Sequence, residues 1–265
     1  MNGFSIGPFL FSAERVAAVL AIAAVLGVGE LLGRRLDPRF GRWSYLVLAV
    51  GLAAARLGYV LEHLQSFAAA PWRALAIWEG GFSWPWAILP VAVVTVLALR
   101  RPRLIVWGTG TLAAIFLGWS AVQTVMLTPP DTPLPNFVLQ ALTGPPVQLA
   151  ATENKPEVIN LWATWCPPCR REMPVLAQAA QAHPDVRFIF ANQGESRAVI
   201  SQYLAREGLA LPIVLLDTAR AIPRYYGVQG IPVTLFISPN GRLAASHLGA
   251  LSPEQLETSL AALRR

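Results

Sequence analysis

Cysteine is scarce in this chain of 265 residues: there are two, Cys166 and Cys169, both inside the stretch NLWATWCPPCRREMP at 160–174. A structural zinc site takes four ligands, and the three histidines, His63, His183 and His247, fall in unrelated segments. No metal site is therefore expected. A purely structural disulfide across two intervening residues would close too small a loop to add much stability. Charge is sparse as well, at 14% of residues against 54% hydrophobic. That is not the composition of one ordinary soluble domain. The net charge of +6 is also unevenly placed, with ten arginines against five acids in residues 1–128 and near balance beyond. A basic excess of this kind flanks membrane spans, and no nucleic-acid partner is expected.

Long apolar runs are confined to the first half. A helix needs roughly 20 apolar residues to cross a bilayer, and candidate spans lie at about 13–33, 43–61, 83–99 and 104–127. The third is short and holds Pro85 and Pro90. The first reads as a retained helix, because nothing basic precedes Arg15 and no small-x-small cleavage site follows before Arg34. Orientation follows the arginine bias of the short connections. Arg34, Arg35, Arg39 and Arg42 follow the first span, and Arg100, Arg101 and Arg103 follow the third. Between spans two and three, Arg73 is balanced by Glu62 and Glu79, and the segment after the fourth has no basic residue. Both chain ends are thus expected outside the cytoplasm.

Residues 129–136 read as a proline-rich linker, with Pro129, Pro130, Pro133 and Pro135 favouring an extended spacer. Beyond it, β-branched or apolar runs at 157–163, 186–192, 211–217, 233–239 and 242–249 alternate with helical stretches near 169–183, 195–208, 218–226 and 253–264. Ser252, Pro253 and Glu254 make an N-cap, an N1 proline and an acidic first turn. Pro239-Asn240-Gly241 is a hairpin turn signal. The fold class expected is an α-helical membrane domain of about four transmembrane helices over 1–128, then an α/β domain with a central mixed sheet over 137–265.

The run EVINLWA leads straight toward Cys166, and a helix follows. Cys166 is so placed at a helix N-terminus, where unpaired N–H groups and the positive dipole end stabilise a thiolate. Cys169 lies one turn further, within disulfide reach. Pro167 and Pro168 fit the first turn, where a missing N–H costs little. An exposed, low-pKa cysteine with a more buried partner is what thiol–disulfide exchange needs.

The motif WATWCPPCRREMP, with GVQGIPVTLFISPNGRL downstream, resembles the thioredoxin superfamily. More narrowly, residues 134–265 resemble the TlpA/ResA-like membrane-anchored periplasmic thiol-disulfide oxidoreductases. The resemblance implies a thioredoxin-like fold and no cofactor beyond a redox-active Cys166–Cys169 disulfide. It implies Cys166 as nucleophile, Cys169 as resolving thiol, and Pro232 as a cis proline facing the site. Ile231 would offer its backbone to an extended substrate segment. Trp165 is a candidate for the substrate surface, and Trp162 for core packing. Glu172 matches a glutamate that ResA-like members keep near the pair, where a carboxylate tunes thiols or relays a proton. A solvated helix glutamate beside Arg170 and Arg171 is the alternative. Asn160 stands where thioredoxin has a buried aspartate, so thioredoxin's proton relay does not carry over. The implied partners are extracytoplasmic protein thiols and disulfides and a membrane electron-donor protein of the disulfide-reductase type. The implied activity is disulfide reduction, as in cytochrome c or copper-site maturation, with disulfide formation as the alternative.

The first half resembles the N-terminal part of prolipoprotein diacylglyceryl transferase over about 4–95, on SIGPFLFSAERVAAVL, AAARLGYVLEHL and IWEGGFSW. It departs where that family has a histidine-glycine-glycine motif, since the chain reads Trp84-Pro85-Trp86. The family's later arginine motif has no counterpart. Acyl transfer is therefore not the leading expectation. A lipid-modifying transferase with an accessory thioredoxin domain and a non-catalytic docking module are the readings from other classes. Arg56, inside an apolar span, is costly unless it faces protein, water or a lipid headgroup. It is a candidate membrane-lipid contact, or else it snorkels or pairs with Glu62.

Overall fold

The computed structural model describes residues 3–6, 9–77, 80–127, 132–152 and 154–264. Residues 129–131 of the expected linker, and Trp78 and Glu79 of the WEGGFS segment, lie outside the described residues. The chain forms two compact units, residues 13–126 and residues 127–265, the latter grouped with a short N-terminal hairpin. That hairpin pairs β1 (Gly3–Ile6) with β2 (Phe9–Ser12).

The helical unit holds α1 (Ala13–Arg35), α2 (Arg39–Glu62), the short α3 (Leu64–Ala69) and a 3-10 turn (Pro71–Leu75), then α4 (Pro85–Leu99) and α5 (Pro102–Leu127). Three of these helices are long and apolar enough to cross a membrane by length and composition: Val16–Arg35, Arg39–Glu62 and Pro102–Val122. The third expected span is the shorter α4, with Pro85 at its first turn and a left-handed Arg100 at its end. The helices pack through Val25, Phe40, Trp43, Val47 and Leu99. Trp43 Nε1 donates to Thr95 Oγ1 at 3.1 Å, and that hydroxyl donates to the Val91 carbonyl at 2.8 Å. The polar groups of Trp43 on α2 and Thr95 on α4 are thereby satisfied in an apolar setting. At Gly58 of α2 a Cβ would stand 2.2 Å from Trp86 Cγ, so only glycine permits this approach of α4.

The α/β unit runs β3 (Val138–Ala141), β4 (Val147–Gln148), β5 (Glu157–Trp162), α6 (Pro167–Ala182), β6 (Arg187–Gln193), α7 (Arg197–Glu207), β7 (Ile213–Asp217), α8 (Ala221–Tyr226), β8 (Val233–Ile237), β9 (Leu243–Leu248) and α9 (Pro253–Leu263). Its sheet has the order β4-β3-β7-β6-β5-β8-β9. The β5–β6 and β6–β7 pairs are parallel, and β5–β8 and β8–β9 antiparallel. The thioredoxin-like domain with a mixed sheet is therefore present. Every β5 residue is buried, as a central strand covered on both faces requires. One face packs Trp162, Met173, Leu176 and Leu260, and the other Ile159, Leu161, Ile189 and Leu235. Ser252 and Gln255 form a capping box on α9, and Gly241 turns the β8–β9 hairpin at φ +76°.

The second half of the expected linker is not a free spacer. Leu134 N–H donates to the Gly241 carbonyl at 2.8 Å, and Leu243 N–H to the Thr132 carbonyl at 2.9 Å. The hydroxyls of Tyr225 and Tyr226 both donate to the Pro133 carbonyl, and Leu134 is part of the core. Proline denies this segment its own N–H donors at two positions, but its carbonyls and Leu134 are bound to the sheet edge.

Candidate active site

The antiparallel register sets Leu161 of β5 opposite Val233 of β8. The end of β5 and the start of β8 therefore share one end of the sheet, where the chain leaves for Cys166 and arrives from Pro232. Cys166 is the N-cap of α6 with extended backbone, and its sulfur accepts from the Cys169 N–H at 3.3 Å. The two cysteines are disulfide-bonded, with Cα atoms 5.3 Å apart. In one respect the structure corrects the expectation. Cys166 is 3% exposed and Cys169 0%, so in the disulfide form the first cysteine is nearly as buried as the second. The exposed neighbour is Trp165, at 64%. Trp162 is fully buried core. The Ile231–Pro232 bond is cis, Ile231 is half-buried, and the Pro232 carbonyl accepts from Gly249 N–H at 2.9 Å.

Glu172 is not the solvated residue its arginine neighbours suggest. It is buried on α6, on the stripe formed with Cys169, Met173 and Leu176. Its Oε1 accepts from Asn160 Nδ2 at 2.8 Å, and its Oε2 from Leu251 N–H at 2.9 Å. Burial raises its pKa from 4.5 to about 7, against the lowering effect of those two hydrogen bonds. Such a carboxyl exchanges its proton near neutral pH.

Glu195, which nothing in the local motif announces, braces the approach to Cys166. Its carboxylate accepts from the Thr164 N–H at 2.7 Å, the Thr164 hydroxyl at 2.5 Å and Asn192 Nδ2 at 2.7 Å. Thr164 is two residues before Cys166, so the β6–α7 loop holds the turn that presents the cysteine. The available signal was position: the loop follows a strand at the carboxyl end of a parallel sheet, where α/β sites gather.

Arg56 is separate from this chemistry. Nε donates to the Ala74 carbonyl, Nη1 to Gly80 and Gly81, and Nη2 to Arg73 and Ala76. A guanidinium has five N–H donors, and these five carbonyls take them all. This leaves no donor for a lipid phosphate, and the side chain neither snorkels nor pairs with Glu62. Glu62 instead accepts from Ser83 and Trp86. Among the described residues, no group of three or more His, Cys, Asp or Glu is placed to hold a metal.

A family model described as Redoxin matches residues 129–263. A second, for prolipoprotein diacylglyceryl transferase, matches residues 4–168. Thiol-disulfide oxidoreductase ResA of Halalkalibacterium halodurans is 32% identical over 124 residues, covering 46% of this chain and 70% of that protein. ResA of Bacillus subtilis is 31% identical over 124 residues, covering 46% and 69%. Among solved structures, dsbF of MTB, in mixed oxidized and reduced forms, matches with TM-score 0.46 and 27% identity over 48% of this chain and 95% of that one. The chain belongs to the redoxin family, as a ResA-like thiol-disulfide oxidoreductase that works through a Cys-x-x-Cys disulfide and is joined to a region of the prolipoprotein diacylglyceryl transferase family.

Proposed function

We propose that the protein is a membrane-anchored reductant that passes electrons from Cys166 and Cys169 to disulfides of extracytoplasmic proteins. The observation that carries this reading is Cys166 at the N-cap of α6, bonded to Cys169, with a buried Glu172 one turn deeper in the same helix. The Cys166 thiolate attacks a substrate disulfide, one substrate sulfur leaves, and a mixed disulfide forms. Cys169 then gives up its proton to Glu172 and attacks Cys166 Sγ, releasing the second substrate sulfur. Two electrons reach the substrate, whose two sulfurs leave as thiolates and take protons from water, while the Cys169 proton rests on Glu172 and the Cys166–Cys169 disulfide remains. Trp165 and the backbone of Ile231, beside Pro232, receive the substrate segment.

The first turn of α6 supports the reducing direction. Pro167 and Pro168 have no N–H, so the Cys166 sulfur keeps one first-turn donor, the Cys169 amide. A thiolate with few donors is poorly stabilised, and a couple whose reduced form is poorly stabilised is the more reducing one. Re-reduction draws two electrons from an external thiol, because Cys166 and Cys169 are the two cysteines of the sequence. A membrane electron-donor of the disulfide-reductase type fits that need. Cytochrome c or copper-site cysteines are the proposed substrates, with the α/β unit on the periplasmic side. Cys166, Cys169 and Glu172 are the proposed catalytic residues. The helical unit, residues 13–126, serves as anchor, and Arg56 as a fold staple within it rather than a lipid site.

The test uses full-length protein in detergent micelles with a model peptide disulfide. Cys166→Ser is expected to abolish reduction, and Cys169→Ser to accumulate the mixed disulfide. Turnover retained in Cys166→Ser would overturn the mechanism.

A further inference from the structure

Asn160 sits in the middle of β5, 1% exposed. Its Nδ2 donates to Glu172 Oε1 at 2.8 Å and to Thr234 Oγ1 at 3.1 Å. Its Oδ1 is buried with no hydrogen-bond partner among the described residues. An orphaned amide oxygen in a core is uncommon and carries a desolvation cost, so it asks for a reason. Glu172 has the complementary shortage. Both of its hydrogen bonds come from donors, Asn160 and the Leu251 N–H. That set suits a carboxylate and gives a carboxylic acid nothing to donate to. The missing acceptor is the orphaned oxygen of the same amide. A half-turn about χ2 of Asn160 exchanges Oδ1 and Nδ2, two groups of nearly equal size. Oδ1 then accepts from protonated Glu172 and from the Thr234 hydroxyl.

We infer that Asn160 is a positioning residue for the proton of Glu172, donating through Nδ2 to the carboxylate and turning its amide so that Oδ1 accepts from the carboxylic acid. The inference deepens the proposed exchange reaction and takes its chemical use from it. The proton is the one Cys169 releases: its S–H bond breaks, the O–H bond of Glu172 forms, the Cys166–Cys169 bond closes and the substrate thiolate leaves. The reverse sequence returns the proton when the disulfide is reduced. Glu172 shares α6 with Cys166 and Cys169; Tyr203 of α7 belongs to the same core cluster as the cysteines, and Glu254 is buried in the first turn of α9. Arg170 is directed away, to Glu207 and the Tyr203 ring. Burial and two hydrogen bonds, with no neighbouring charge among the causes, govern the ionisation of Glu172. Thioredoxin's aspartate at this place could not act in the same way, since a carboxylate has no N–H to donate.

The test follows Glu172 itself. In full-length protein in detergent micelles, the infrared carbonyl band of the protonated acid is identified by its loss in Glu172→Gln and then titrated. Asn160→Leu is expected to raise the midpoint by about one pH unit, because the carboxylate loses a charge-assisted hydrogen bond and the acid only a weaker neutral one. Its band is expected to move to higher frequency, because the acid has lost its acceptor. Asn160→Asp, which keeps the shape if the leucine variant does not fold, is expected to hold an acid band to higher pH, because two carboxyls then share one buried site. A midpoint unchanged in a folded variant overturns the inference. A raised midpoint with an unchanged band frequency in Asn160→Leu overturns the turning of the amide. Neither readout uses disulfide exchange, so failure here and failure of the Cys166→Ser test are separate results.

Discussion

Glu172 gives the α/β unit a pH-dependent stability that one substitution removes. Its carboxyl titrates at about 7 in the fold, against 4.5 ordinarily, because burial outweighs the donors on its two oxygens. The folded state therefore holds this proton more tightly than the unfolded chain does. The stabilisation is complete below about pH 4.5 and is lost as pH rises through about 7. The full difference corresponds to about 3 kcal/mol. Between about pH 5 and pH 8 it changes the opening equilibrium roughly 50- to 100-fold. Glu172→Gln has nothing to ionise. Its carbonyl still accepts from Leu251 N–H, and its amide finds the free Oδ1 of Asn160. Hydrogen exchange of the β5 amides, Val158 to Leu161, measures this in the oxidised full-length protein without requiring both units to unfold together. After correction for intrinsic exchange, wild-type protection should fall across that pH range, whereas the protection of Glu172→Gln should stay nearly level and exceed wild type at the alkaline end. A wild-type profile as flat as that of the variant would refute the reasoning.

Three further outcomes are expected. Arg56→Met frees the carbonyls of Arg73, Ala74, Ala76, Gly80 and Gly81, so limited proteolysis within 71–81 should accelerate at least about tenfold. Arg56→Lys should not rescue it, because an ammonium has only three donors on one atom. Pro168→Ala adds an N–H at the second position of α6, and one more donor to the Cys166 thiolate should raise the reduction potential by about 30–60 mV, read against a glutathione buffer. Alkaline phosphatase fused after residue 130 should be active in cells, and inactivity there would reverse the orientation drawn from the arginine-rich connections.

The elements that could be read from sequence are those whose signal is local. Long apolar runs locate α1, α2 and α5, and a shorter one locates α4. The run before Cys166 and the prolines after it placed the cysteine at a helix N-terminus, and Pro239-Asn240-Gly241 closed the last hairpin. The strands β3 and β4 were missed because four and two residues are too few to show a period. The surroundings of Arg56 are illegible for a different reason. Its partners are main-chain carbonyls brought round by a fold-back of the chain, and carbonyls have no letter in a sequence. Glu195 meets Thr164 across 31 residues of sequence, which no local pattern encodes. Glu172 is the instructive case, since its signal was present and outweighed. Counted from Cys169, the positions i+3, i+4 and i+7 are Glu172, Met173 and Leu176, and all are buried with it. Arg170 and Arg171 drew attention to the charged face of α6, but helical periodicity puts Glu172 on the opposite one. A carboxylate on an apolar stripe has to be supplied with donors or hold a proton. Here Asn160 and Leu251 supply the donors, and burial keeps the proton available near neutral pH.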